Sequence, residues 1–190
     1  MESLSYSYSF VQEISSPTSN SPWQTIADSL SSCSIPTVLR HFEEVYDCLE
    51  SNQKPCYGHV ALIATICGIV AYITPNWPSS ILSERPEAIA RFISWISLAR
   101  EALIASNYRS TPTIETMQSL LLISQHLLVN FSDLTTLKTL QGMVLHMARS
   151  LSLHQIDSPR NKKLRYGVEV DWVGLEVKRR IWWHIACTDW

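Results

Sequence analysis

From Val60 to Ile73 the chain runs fourteen residues with only Thr65 and Gly68 breaking an apolar stretch. A helix that is apolar on every side cannot lie on a protein surface; it needs neighbours all round, or a bilayer. A bilayer span takes about 20 such residues, and Pro75 follows closely. The run therefore predicts a central, fully buried helix, and the other helices must be arranged to cover it. At 190 residues the chain suits one domain that can bury roughly two-thirds of its unfolded surface.

The flanking sequence supplies those covering helices. Ser21-Pro22-Trp23-Gln24 reads as a helix start, with a serine cap, proline at the first position and glutamine three residues on. Val38, Leu39, Phe42, Val45, Tyr46 and Leu49 recur at helical spacing, with Arg40, Glu43, Glu44 and Asp47 opposite. Beyond the prolines at 75, 78 and 86, a stripe of Ile89, Phe92, Ile93, Ile96, Ala99 and Leu103 predicts a further helix. Thr111-Pro112 opens the next, with Ile114, Met117, Leu121, Ser124 and Leu128 on one face. A short connection over 130–133 favours an antiparallel neighbour. There Leu137, Leu140, Val144, Met147 and Leu151 point inward, and Gly142 offers room for a close helix approach. Residues 155–170 read as a charged loop, and the final helix begins near Val173. The fold class is all-α, a bundle of about seven helices. Residues 1–20, rich in serine, are expected to be a mobile segment, with the domain occupying 21–190.

Chemical motifs are scarce. There is no Gly-rich phosphate loop and no nucleophile elbow. Cys33, Cys48, Cys56, Cys67 and Cys187 show no C-x-x-C spacing, and an odd count fits reduced thiols. His41, His59, His126, His146, His154 and His184 lack an H-E-x-x-H pattern and have no evident carboxylate or cysteine partners, so no bound zinc is expected. His184 and Cys187, at i and i+3, could form a dyad, but two residues on a packed helix is the simpler reading. The net charge of −2 argues against nucleic-acid binding by the whole chain. Residues 149–190 carry eight basic and five acidic residues, hence +3; the remainder carries seven against twelve, hence −5.

The most distinctive stretch lies near the C-terminus: Glu176, Lys178, Arg179 and Arg180, then Trp182-Trp183, then Asp189. Adjacent tryptophans sit about 100° apart on a helix, so both can be covered only if this helix has apolar neighbours on two sides. Asp189 shares a face with Trp182 and Ala186. If buried there, it needs a partner, for which Arg149 and His154 are candidates. Upstream lie Met147 to His154, including Arg149, Leu151, Leu153 and His154, and the segment Thr113 to Leu122.

These segments, in this order, resemble the fungal-specific transcription factor domain, the regulatory middle homology region of zinc binuclear cluster regulators. The resemblance is strongest from Trp95 to Asp189. It departs where Ser152 stands for a usual glycine, Lys178 for the first arginine of a basic triplet, and Trp190 for an arginine. Family domains continue further, so the resemblance implies a domain represented in part. It also implies a nuclear, non-enzymatic role in regulating RNA polymerase II transcription. The implied partners are transcription-machinery proteins or a second copy, with a small-molecule effector and no membrane. The family's zinc belongs to an N-terminal six-cysteine cluster that this sequence lacks, so DNA reading is expected to lie elsewhere or to be lost. The alternative is a helical scaffold that kept the fold without DNA binding.

Overall fold

The structure, a computed structural model, describes residues 33–73, 85–125 and 134–188. Among these it is all-α: α1 (Ile35–Glu50), α2 (Tyr57–Ile73), α3 (Arg85–Ala105), α4 (Ile114–Ile123), α5 (Leu134–Ser150), a 3-10 turn (Leu153–Gln155), α6 (Pro159–Leu164) and α7 (Trp172–Thr188). The helix start at Ser21, the short connection over 130–133, Leu128, Asp189 and Trp190 lie outside the described residues.

Helix α2 is the centre. Every residue from Ala61 to Ala71 is buried, and α1, α3 and α4 all pack on it. No described helix is long and apolar enough to cross a membrane. Thr65, wholly buried in this helix, donates to the Ala61 carbonyl at 2.8 Å and meets Ser119 Oγ of α4 at 2.6 Å. Ser119 also donates to the Ala61 carbonyl, at 3.3 Å. The one polar side chain in the run is thus satisfied, as a buried hydroxyl must be, and the bond sets the rotation of α4 against α2. Helix α4 starts on a reciprocal cap in which Thr113 and Thr116 each hold the other's backbone N–H.

Beyond this centre the packing runs α4 to α5 to α7, with the 3-10 turn touching both α5 and α7. Met117, Leu120, Leu121, Val144, Met147, Leu153, Ile181 and Ile185 make one continuous core across those elements. A separate cluster joins α1 to α2 through Phe42, Val45, Ile63 and Cys67.

Four details depart from the sequence reading. Ala99 and Leu103 of the α3 stripe are buried as expected, but Ile89 and Ile93 are exposed, and Ala88 and Ala102 are buried in addition; small residues face α2 because the two helices lie close. On α1, Tyr46 and Leu49 are exposed while His41 is buried, so the inward face is rotated toward the histidine. The segment 159–164 is helical rather than loop: Pro159 presets the first turn and Ser158 caps it by accepting the Asn161 N–H. Gly142 faces open space, whereas a Cβ at Gly68 would come within 2.7 Å of Ile96 Cδ1. The close approach is made at Gly68.

That exchange of roles is measurable. Gly142→Ala, on an exposed helical position, is expected to stabilise the protein by about 0.5–1 kcal/mol through backbone entropy. Gly68→Ala should lose that gain to overpacking against Ile96, which costs about 1–3 kcal/mol. Urea melts of the two variants check the ordering.

Candidate functional site

Helix α7 carries the tryptophan motif, and its first turn is held by Asp171, whose Oδ1 accepts the Gly174 N–H at 2.9 Å. Its buried face is Ile181 and Ile185. Trp182 is half-buried against the main core and lies 5.9 Å from the His154 ring, centroid to centroid. Trp183 is 61% exposed. The expectation of apolar neighbours on two sides is therefore corrected for Trp183: α7 packs through the face of Ile181 and Ile185, flanked by Val177 and Trp182, and leaves Trp183 outside it.

Arg179 is the organising charge. Its guanidinium donates from Nε to Asp157 Oδ2 at 2.8 Å and from Nη2 to Asp157 Oδ1 at 3.0 Å, while Nη1 donates to Glu176. This fork ties α7 to the segment after α5. Arg165 joins the same site, donating to the Ile156 carbonyl with Asp157 3.8 Å away. Glu176 also accepts from Arg180 Nε at 3.1 Å, the i,i+4 pairing the sequence suggests. The hydrogen bond from Arg179 holds the Asp157 carboxyl below its ordinary pKa, and bonds from Arg179 and Arg180 do the same for Glu176. The same two carboxylates raise Arg179.

The remaining motif residues divide. Leu153 is buried in the core and Leu151 packs beside it. Arg149, His154 and Lys178 are exposed. Lys178 lines a cavity of about 530 Å³ between α1, α4 and α7, with Arg40, Glu115, Gln118 and Asp171 also on its walls. The proposed pairing of Asp189 with Arg149 or His154 involves a residue outside the described ones. His184 makes its contact with the Gln125 side-chain amide, and burial lowers its pKa. Cys187 is exposed.

Ser152, where the resemblance calls for glycine, adopts φ 56° and ψ 28° just past the end of α5. That left-handed conformation closes the helix and costs an L-residue with a Cβ roughly 1–2 kcal/mol.

A second cluster escaped the sequence reading. His41 of α1 and His59 of α2 stack with ring centroids 3.8 Å apart and planes at 27°. Glu44 Oε2 stands 3.4 Å from His41 Nδ1 and 3.2 Å from His59 Nδ1. Glu115 Oε1, from α4, faces His41 Nε2 at 3.9 Å. Burial lowers the His59 pKa, reinforced by His41 and opposed by Glu115 and Glu44. The premise that the histidines lack carboxylate neighbours is thus wrong for these two. The signal present in the sequence is His41 and Glu44 at i, i+3; what the sequence does not show is the packing of α2 on α1 that delivers His59.

With this geometry in place, the chain belongs to the family described as the fungal specific transcription factor domain, whose model matches residues 18–190. It is 42% identical over 156 residues to the agnestins biosynthesis cluster transcription factor AgnL11 of Paecilomyces divaricatus, covering 82% of this chain and 23% of that protein. It is 34% identical over 163 residues to the probable transcription factor lepB of Aspergillus flavus, covering 82% of this chain and 28% of the relative. Transcription factor TAS2 of Pyricularia oryzae matches at 28% over 164 residues, covering 82% and 20%. The chain therefore spans no more than about 28% of the length of these curated relatives. No solved structure matches.

Two mutational outcomes follow from the geometry. Ser152→Gly should raise stability by about 0.5–1 kcal/mol, the left-handed strain relieved less the extra entropy of glycine; a thermal melt showing no gain would contradict the assignment of strain. Along α7, Ile181→Ala should cost about 2–5 kcal/mol and Trp183→Ala stay within about 0.5 kcal/mol. Trp182→Ala should fall between them. Denaturant midpoints of the three variants give the ranking directly.

Proposed function

We propose that this chain is a portion of the regulatory middle region of a zinc-cluster-type transcription factor, acting in the nucleus to modulate RNA polymerase II transcription. The observation that carries the reading is the family match across 18–190, which coincides with a fold whose motif residues serve architecture rather than catalysis. Arg179 braces α7 to the preceding segment. Such a region acts by presenting surfaces and changing its contacts, not by turnover.

DNA reading is assigned to residues other than these. A chain of net charge −2 gains little from phosphate neutralisation, which dominates duplex affinity. Two features support protein partners and an effector. Trp172 and Trp183 are exposed eleven residues apart, hence on one side of α7, a pattern suited to a partner from the transcription machinery or a second copy. The cavity between α1, α4 and α7 lies within the size range of small-molecule sites. The 42% identity to a regulator named for a biosynthesis cluster favours control of a biosynthetic gene set.

The test is a reporter assay in which the 190-residue chain is fused to an unrelated DNA-binding domain. Reporter output should change several-fold relative to the DNA-binding domain alone. Arg179→Ala, which releases the α7 brace, should abolish the change, while Lys162→Ala, exposed on α6, should leave it intact. An output equal to that of the DNA-binding domain alone would overturn the regulatory reading. A sequence-selective gel shift by the unfused chain at physiological salt would overturn the assignment of DNA reading elsewhere.

A further inference from the structure

We infer that His41, Glu44 and His59 form a binding site for a single divalent transition-metal ion of the zinc class, with Glu115 orienting the His41 ring. Among the described residues, this is the one group of three such side chains with ligand atoms all within 4.8 Å of one another.

The distances are those a metal needs. Zinc holds imidazole nitrogen at about 2.0–2.1 Å and carboxylate oxygen at about 2.0–2.2 Å. In a tetrahedron of those bond lengths, neighbouring ligand atoms stand about 3.3–3.4 Å apart. Glu44 Oε2 lies 3.4 Å from His41 Nδ1 and 3.2 Å from His59 Nδ1, so two edges of the tetrahedron already exist. The third edge, between the two imidazoles, is no longer than 4.8 Å and closes by a turn of the His59 ring, the less buried of the two.

The chemistry of the surroundings agrees. Coordination through Nδ1 leaves the ring proton on Nε2, and for His41 that nitrogen faces the Glu115 carboxylate at 3.9 Å. A carboxylate on the far nitrogen of a metal-bound imidazole fixes its tautomer and raises its basicity. His41 is 6% exposed, so its ring is held by packing before any ion arrives. Arg40 lies 3.8 Å from the other Glu44 oxygen, Oε1, which leaves Oε2 turned to the histidines. Two neutral imidazoles with one carboxylate match zinc and its borderline neighbours rather than calcium or magnesium. An ion there would join α1 to α2, and through Glu115 to α4. A tetrahedral ion would keep its fourth position for water or a ligand oxygen.

The experiment uses the 190-residue chain, stripped with chelator and titrated with zinc chloride, followed by calorimetry and thermal melts. One ion should bind per chain, and Tm should rise with zinc and return on adding chelator. Cobalt substituted for zinc should give the visible absorption of a tetrahedral nitrogen and oxygen site. His59→Gln and Glu44→Gln should each weaken binding at least about 10-fold, and Glu115→Gln by about 10–100-fold. His146→Gln, at an exposed histidine on α5, should change nothing. Binding should weaken in acid, since an imidazole must be deprotonated at its ligating nitrogen. Melts in chelator establish that each variant folds, and Glu44→Gln decides the matter if His59→Gln does not. Absence of zinc binding, or zinc binding unchanged in both ligand variants, would overturn the proposal. Cobalt absorption of the thiolate type would do the same, by moving the ion to the cysteines.

Discussion

A helix with no polar side dictates the arrangement of everything around it. Because α2 is covered from Ala61 to Ala71, α1, α3 and α4 have no freedom to lie elsewhere. The single buried hydroxyl of Thr65 turns that general demand into a specific one. Its proton has the Ala61 carbonyl within its own helix, and its further contact, with Ser119 Oγ, is made from the face of α4 that carries that residue. Placing α4 places Met117, Leu120 and Leu121, which form the floor on which α5 and then α7 are laid. The tryptophan helix is thus positioned at third hand by a residue more than a hundred positions earlier in the chain.

How much of this could be read from sequence depends on whether the deciding force is local. The apolar run needed no partner to be recognised, and the inward residues of α5, Val144 and Met147, followed from spacing alone. The α3 stripe holds at Ala99 and Leu103 and fails at Ile89 and Ile93, where exposed isoleucines and a buried Ala88 reverse the usual ranking; what selects alanine there is closeness to α2, which no window of sequence reports. The close approach falls at Gly68 and not at Gly142, which spacing does not report for the same reason. Ser158 and Pro159 carried a complete helix-start signal within a segment dominated by charge. The histidine cluster was half legible, since His41 and Glu44 share a helix, whereas His59 reaches them only through tertiary folding.

The two polar constellations sit on different parts of the bundle and differ in physical kind. The one built on Arg179 is made of permanent charges with carboxyl pKa values held low, so it is intact across the neutral range. The one built on His41 and His59 has a histidine whose pKa is depressed by burial. Its folded state is therefore favoured above the unfolded histidine pKa of about 6.5 and loses that advantage as pH falls through the folded value. A fold of this type can keep a constant frame on one side and a composition-sensitive joint on the other.

The guanidinium of Arg179 addresses Asp157 with two nitrogens and Glu176 with the third, and an ammonium has no comparable planar fork. Position 178, one residue earlier, points to the cavity between α1, α4 and α7 and contributes nothing to that brace. The basic triplet of the motif is therefore not a block of interchangeable positive charge. Lys178 is exposed at the cavity wall, away from that brace. A lysine at 179 would unfasten a joint. Three neighbouring letters in the sequence thus answer to separate physical masters: a cavity wall, a fork between two carboxylates, and a pairing one turn back along the helix.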